Sequence, residues 1–332
     1  MNKFNLSAAE IEQRSRPRLA LVVPCYNEEG VLQTTIAELN RRLDALIADA
    51  SCASDSYIVF VDDGSKDETW PIIAAAVAAA PARVVGVRLA RNSGHQYALV
   101  AGLAYVTDRS DASISIDADL QDDLDVLQEM VARYRDGAEL VLGIRRSRAT
   151  DSWFKRTSAA AFYKLLGLLG VDIVEQHADF RLLSAAAMGN LRQFPEYHLF
   201  LRGFPNLLHN RVDYVHYDRH ARTAGQSKYP IARMLALALD GITSFSVVPL
   251  RLISILGFLV FFVATLLVIF ALVARGVGEA LPGWASITVP LYAMGGMIML
   301  SVGIVGEYVG KTYTEVKRRP RYLVDHVEGG VD

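Results

Sequence analysis

The chain has 332 residues, a formal charge of −2 and 52% apolar residues. That length suits one large domain or two ordinary ones, and the near-neutral balance gives no broad electrostatic footprint for nucleic acid. Two cysteines, Cys25 and Cys52, are too few for a disulfide framework and stand outside any CxxC pair, so both are expected as reduced thiols.

Residues 1–18 form a polar extension without the apolar core of a signal peptide. From Leu19 onward, strand-like runs alternate with helical patterns. The strands are predicted at Leu19–Val23, Tyr57–Val61, Val84–Leu89, Ser113–Ile116 and Glu139–Leu142. The helices are predicted at Val31–Ile47, Trp70–Ala80, Tyr97–Val106 and Leu124–Tyr134, with Pro71 just inside a helix start where a missing N–H costs little. Continuous apolar strands alternating with helices predict an α/β fold with a mostly parallel sheet covered on both faces.

The polar motifs follow the strands, where open α/β sheets bind ligands. They read PCYNEEG, DDGSKDET, RNSGHQ and DADLQDD in chain order. No GxGxxG or GxxxxGK[ST] accompanies them, so neither a dinucleotide fingerprint nor a phosphate-cradling P-loop is present. Carboxylates crowd this edge instead, and they repel one another unless a cation is supplied. Asp117 and Asp119, two apart at a strand end, suit a hard divalent metal, Mg²⁺ or Mn²⁺, whose shell diphosphate oxygens complete. Asp122, Asp123 and Asp125 read as the start of the next helix. His95 and His177 read as polar loop residues.

Beyond residue 229 the composition changes. Residues 230–250 are apolar around much of a helical circumference and predict an interfacial helix. Leu252–Ala274 holds 23 residues without a charge, and Ala280–Gly306 is uncharged too. At about 1.5 Å per residue each exceeds a bilayer core of roughly 30 Å, so residues 251–306 predict a transmembrane hairpin, with spans near 252–274 and 284–306. Arg251 precedes the first span, and Lys311, Lys317, Arg318, Arg319 and Arg321 follow the second, in the basic tail 307–332. This bias places both termini and the 19–229 domain on the cytoplasmic side of an inner membrane. Gly295, Gly296 and Gly303 permit close helix packing, so a homo-oligomer, up to a tetramer, is expected.

Taken in order, PCYNEE, VDDGSKDET, RNSGHQYALVAG, DADLQ, DFRLLS and RTAGQSKY resemble the family 2 glycosyltransferases that act on polyprenyl phosphates. The similarity is closest to bacterial polyprenyl-phosphate glucosyltransferases of the O-antigen-modifying type and to dolichol-phosphate mannose synthases. The resemblance implies a GT-A fold and inverting transfer of a sugar, chiefly glucose from UDP-glucose, to undecaprenyl phosphate. GDP-mannose, UDP-N-acetylglucosamine and a UDP-pentose remain open as donors. It assigns Pro24, Tyr26, Glu28, Asp63, Asp117, Arg219 and Lys228 to the nucleotide sugar, and Asp117, Asp119 and Gln121 to the metal. Arg145 and Arg156 fall to the acceptor phosphate, and Asp179, Arg181 and Arg222 to catalysis, with Asp179 as base. Gly64 and Gly94 are assigned to turn geometry. Two departures stand out: DDL at Asp122–Leu124 where PPE is usual, and Ala178 where GDFRL has glycine. A processive polysaccharide synthase needs a QxxRW motif that this chain lacks. A non-catalytic membrane scaffold is the alternative from another class.

Overall fold

The apolar runs of the first half become the centre of one sheet. The structure, a computed structural model, describes residues 7, 11–12, 14–146, 177–197, 201, 211–218, 246–276 and 283–330. In chain order the first unit holds β1 (Leu19–Cys25), α1 (Leu32–Ala48), β2 (Tyr57–Asp62), α2 (Thr69–Ala79), β3 (Val84–Leu89) and α3 (His95–Val106). There follow β4 (Ala112–Ser115), a 3₁₀ turn (Leu124–Val126), α4 (Leu127–Arg135), β5 (Leu140–Arg145), β6 (His177–Ser184), α5 (Ala185–Arg192) and β7 (Val212–Tyr217). Two long helices, α6 (Val248–Gly276) and α7 (Gly283–Val316), precede a last strand, β8 (Val324–Glu328).

Every residue of β1 and β2 is buried. Such strands need cover on both faces, and alternation along β1 shows how it is supplied. Leu19, Leu21 and Val23 join one core with Leu39 and Leu43 of α1, Ile73 of α2 and Met130 of α4. Val22 points the other way, toward Gly102 of α3, while Ser113, beside Ala20 in the register, reaches Met188 of α5. Gly102 is required here: a Cβ would stand 2.4 Å from Val22 Cγ1 and 2.8 Å from Val61 Cγ2.

The sheet runs β7-β5-β6-β4-β1-β2-β3-β8. The pairs β1–β2, β1–β4, β2–β3 and β5–β7 are parallel, but β4–β6, β5–β6 and β3–β8 are antiparallel. Six of the eight described strands therefore point one way and only β6 and β8 run against them, so the expectation of a mostly parallel sheet holds, with two reversed strands.

Contact clustering divides the chain into two units. The first takes in Met1–Tyr163, Asp172–Lys228 and Pro320–Asp332, and the second Lys164–Val171 and Tyr229–Arg319. β8 therefore completes the sheet of the unit in which the chain began. His326 meets the Trp70 ring edge-on at 4.9 Å, and Ala90 N–H donates to Leu323 O at 2.8 Å.

In the second unit, α6 and α7 carry large apolar side chains toward the outside. Phe258, Phe261 and Met299 are each about 70% exposed, and Tyr308 Oη donates to Ser246 O at 2.6 Å. Among the described residues no helix is long and apolar enough to cross a membrane. Side-chain surroundings are described without interruption only over 248–263 and 294–316 of these helices. The interfacial helix expected at 230–250 lies outside the described residues as far as 245.

Candidate active site

Four loops lie beyond the carboxyl ends of the central strands, and backbone N–H groups donating to side chains tie the first three together. After β1, Asn27 N–H donates to Ser65 Oγ at 3.0 Å, while Lys66 N–H returns to Asn27 Oδ1 at 2.9 Å. Glu28 N–H donates to Thr69 Oγ1 at 2.8 Å. Pro24 is buried at the end of β1, Tyr26 is exposed, and Glu28 is half-buried beside them.

Asp63 ties the second loop to the third. Its Oδ1 accepts from Ser93 N–H at 2.7 Å and its Oδ2 from Gly94 N–H at 2.8 Å. Burial raises its pKa, and the two N–H groups oppose that shift. Gly64 has φ +66°, and a Cβ there would stand 2.7 Å from Arg91 C, so the turn admits little but glycine. Gly94, at φ +103°, turns the chain into α3.

The fourth loop holds the acids. Ile116 N–H still bonds Val22 O at 3.0 Å, and Thr35 Oγ of α1 donates to Ala118 O at 2.7 Å, so β1 and α1 both fix its backbone. Leu120 takes φ +49°, a left-handed backbone rare for a branched apolar residue and a common mark of functional loops. Gln121 folds back on Asp119, donating from Nε2 at 2.7 Å and from its backbone N–H at 3.2 Å.

His95, at the first turn of α3, faces Asp117 of the fourth loop and Asp179 of β6. Its Nε2 is 3.6 Å from Asp117 Oδ1 and 3.6 Å from Asp179 Oδ2. Those distances describe charge contact rather than full hydrogen bonds. Burial opposes a charged imidazole, but Asp179 and Asp117 outweigh it and raise the His95 pKa. Asp117 itself is pushed up to about 6, first by burial and then by Asp122, Asp179 and Asp119, with His95 pulling the other way. Across the site, Asp179 Oδ1 accepts from Arg181 Nη2 at 2.6 Å, and Arg181 Nη1 donates to Leu201 O at 2.8 Å. Both residues sit on β6, antiparallel to β4, which is how a stretch some 60 residues downstream meets Asp117.

Arg145 ends β5 and meets Asp122 and Tyr217. Arg146, next to it, is exposed and pairs with Asp218 at 3.4 Å. Asp123 does begin a helical turn, accepting from Asp125 N–H at 2.9 Å, but Asp122 does not belong with it. Asp122 is buried against Arg145, a partner that its place in the sequence did not suggest. His95, which reads in the sequence as a polar loop residue, is the other residue whose partners only the fold supplies. Its only signal was its position in the third polar loop. Arg156, Arg219, Arg222 and Lys228 lie outside the described residues.

A divalent cation fits the chemistry of this donor set. Asp117, Asp119 and the Gln121 amide oxygen offer only hard oxygen ligands, and Asp117 stands near the further carboxylates Asp122, Asp179 and Asp119. Among the described residues no three His, Cys, Asp or Glu side chains are already grouped as a metal site. Diphosphate oxygens from a ligand would make up the remainder of a shell.

The chain belongs to glycosyl transferase family 2, whose model matches residues 20–191, the span that holds the sheet centre and its acidic edge. It is 46% identical over 313 residues to the uncharacterized glycosyltransferase YkoT of Bacillus subtilis (strain 168), covering 94% of this chain and 93% of that one. It is 36% identical over 312 residues to the bactoprenol glucosyl transferase of Shigella phage SfX, covering 92% and 98%. Among solved structures it is similar to glucosyl-3-phosphoglycerate synthase from Mycobacterium tuberculosis in complex with Mn²⁺, UDP and glucosyl-3-phosphoglycerate. That likeness is distant, at 19% identity and a TM-score of 0.45 over 72% of this chain and 82% of the other.

Proposed function

We propose that the protein transfers a sugar from a nucleotide donor to the phosphate of a polyprenyl lipid, inverting the anomeric configuration, with UDP-glucose as donor. The observation that carries this reading is end-to-end similarity to a bactoprenol glucosyl transferase, at 36% identity over 92% of the chain. The acidic edge supports it chemically. A lipid phosphate monoester is largely ionised at neutral pH, so a strong base is less necessary than for a hydroxyl acceptor. A phosphate oxygen attacks the anomeric carbon, the bond to the diphosphate breaks, and the nucleoside diphosphate leaves.

In this reading Pro24, Tyr26, Glu28, Asp63, Asp117, Arg219 and Lys228 receive the nucleotide sugar. Asp117, Asp119 and Gln121 hold Mg²⁺ or Mn²⁺, which when bound supplies positive charge to the leaving diphosphate. Arg145 and Arg156 meet the acceptor phosphate, and Arg222 the departing charge. Asp179, held by Arg181, takes any residual acceptor proton and otherwise orients the guanidinium.

The acceptor's isoprenoid chain stays in a bilayer, so the reading includes a membrane hairpin formed by α6 and α7. The uncharged runs 252–274 of α6 and 283–306 of α7, and the exposed Phe258, Phe261 and Phe262 of α6, support it. In chain order the first unit holds residues both before and after the hairpin, Met1 and Asp332 included, and the reading puts both termini on the cytoplasmic face of the inner membrane. Gly295, Gly296 and Gly303 leave open space beside α7, which suits helix packing in a homo-oligomer.

The test uses membranes containing the protein, undecaprenyl phosphate, Mg²⁺ or Mn²⁺, and radiolabelled UDP-glucose, GDP-mannose, UDP-N-acetylglucosamine or a UDP-pentose offered singly. Metal-dependent label in extracted lipid, lost in Asp119→Ala, is expected with UDP-glucose. Label from another donor alone would correct the sugar, and no label from any would sink the reaction.

A further inference from the structure

Arg145 stands in an arrangement more constrained than its assignment to an acceptor phosphate requires. Its Nη2 donates to Asp122 Oδ1 at 3.2 Å and its Nε to Tyr217 Oη at 3.1 Å. Tyr217 Oη in turn donates to the same Asp122 Oδ1 at 2.6 Å, closing a three-membered ring of contacts. Asp122 is 2% exposed, and its Oδ2 has no hydrogen-bond partner among the described residues. A carboxylate buried in this way is costly unless a cation stays beside it, so Arg145 and Asp122 hold each other.

Tyr217 is itself locked. It pairs with Arg145 across the parallel β5–β7 register, and its ring stands T-shaped to Phe180 at 5.3 Å. Gly143 makes room for that ring, since a Cβ there would stand 3.0 Å from Tyr217 Cε1 and 2.8 Å from Phe180 O. Two of the three guanidinium nitrogens are thus engaged from within, and Nη1 makes no hydrogen bond to any described residue. The Arg145 side chain is 30% exposed, so the guanidinium is not fully closed off by the protein.

The place of Asp122 in the chain gives the arrangement a consequence. It directly follows Gln121, in the loop that carries Asp117 and Asp119. One short loop therefore bears the donor-side oxygens and the anchor of an acceptor-side cation. We propose that Asp122 and Tyr217 are positioning residues that aim Arg145 Nη1 at the acceptor's phosphate monoester and fix its distance from the leaving diphosphate. This inference rests on the lipid-phosphate reading above.

The experiment uses the full-length protein in membranes with undecaprenyl phosphate and UDP-glucose, and compares Asp122→Asn, Tyr217→Phe, Arg145→Lys and the Asp122→Asn/Arg145→Lys pair. Losing an anchor of a charge-assisted contact is expected to raise the acceptor KM about tenfold in Asp122→Asn, and less in Tyr217→Phe, with the donor KM within about twofold of wild type. Because both substitutions act through one guanidinium, the double variant is expected to be no worse than Arg145→Lys alone. UDP binding by calorimetry reports that each variant is folded. If Asp122→Asn fails it, Tyr217→Phe, which removes a single hydroxyl, decides the matter.

An Asp122→Asn enzyme with an unchanged or lower acceptor KM overturns the inference, since Asp122 would then be inert or a competitor for Arg145. Fully additive losses, or equal increases in both KM values, overturn it as well. In those cases the wild-type enzyme still labels lipid and the proposed reaction stands. A wild-type protein that labels lipid from no donor removes the reaction, and the inference with it.

Discussion

Asp117 carries the least comfortable charge in the site, and its environment makes the pH dependence directional. Its folded pKa of about 6 lies above the usual 3.8, so the folded chain binds this proton more tightly than the unfolded chain does. Ionised Asp117 therefore costs stability at neutral pH. The cost fades as the pH falls through about 6 and is gone below about 4. In chelator at pH 7.5, Asp117→Asn is expected to raise the thermal midpoint, and at pH 4 to leave it unchanged. Added Mn²⁺ is expected to raise the midpoint of the wild-type protein and not of the variant. A variant no more stable than wild type at pH 7.5 would show that His95 already neutralises the site. Asp63 behaves differently, because its two oxygens hold the Ser93 and Gly94 N–H groups. Asp63→Ala leaves those donors unpaired and is expected to cost about 1–3 kcal/mol in urea unfolding.

Among the elements, α3 matters most, because its first turn delivers His95 and its middle lies unusually close to the sheet. The close approach depends on Gly102, and the atoms a Cβ would meet are Val22 and Val61 methyls, which belong to stiff β-branched side chains in fully buried strands. Gly102→Ala is expected to destabilise by about 1–3 kcal/mol in denaturant melts through overpacking. It should also lower turnover, because lifting α3 moves His95 away from Asp117 and Asp179. Gly102→Ala with full stability and full turnover would mean the helix shifts freely and that His95 placement is unimportant.

The chain closes its first sheet with its last strand, after the two long helices have intervened. β8 covers the β3 edge, and His326 covers Trp70. Arg321 also reaches back, donating to Phe194 O. Deleting residues 323–332 is expected to lower the stability of the first unit by roughly 2–4 kcal/mol, from a handful of lost strand hydrogen bonds at about 1 kcal/mol each. Limited proteolysis within 20–190 should accelerate correspondingly. An unchanged cleavage rate would mark the strand as an accessory.

The first five strands and four helices stand within a few residues of where apolar runs and helical spacing place them. Local composition suffices there, because a strand buried on both faces must be apolar throughout. The polar loops could also be located along the chain, since ligands of such sheets gather at strand carboxyl ends. β6, β7 and β8 could not be read in the same way. HADFRLLS carries charge, VDYVHY alternates, and VDHVE is an exposed edge strand whose partner lies more than 230 residues upstream. Nor could the partners of the site residues be read. His95 meets Asp117 and Asp179, and Asp122 meets Arg145 and Tyr217, only because antiparallel β6 and parallel β7 bring distant segments to one edge. Which residue types stand near a loop is a property of the chain. Which carboxylate faces which cation depends on strand order and register, and those are set by long-range pairing that leaves no local pattern.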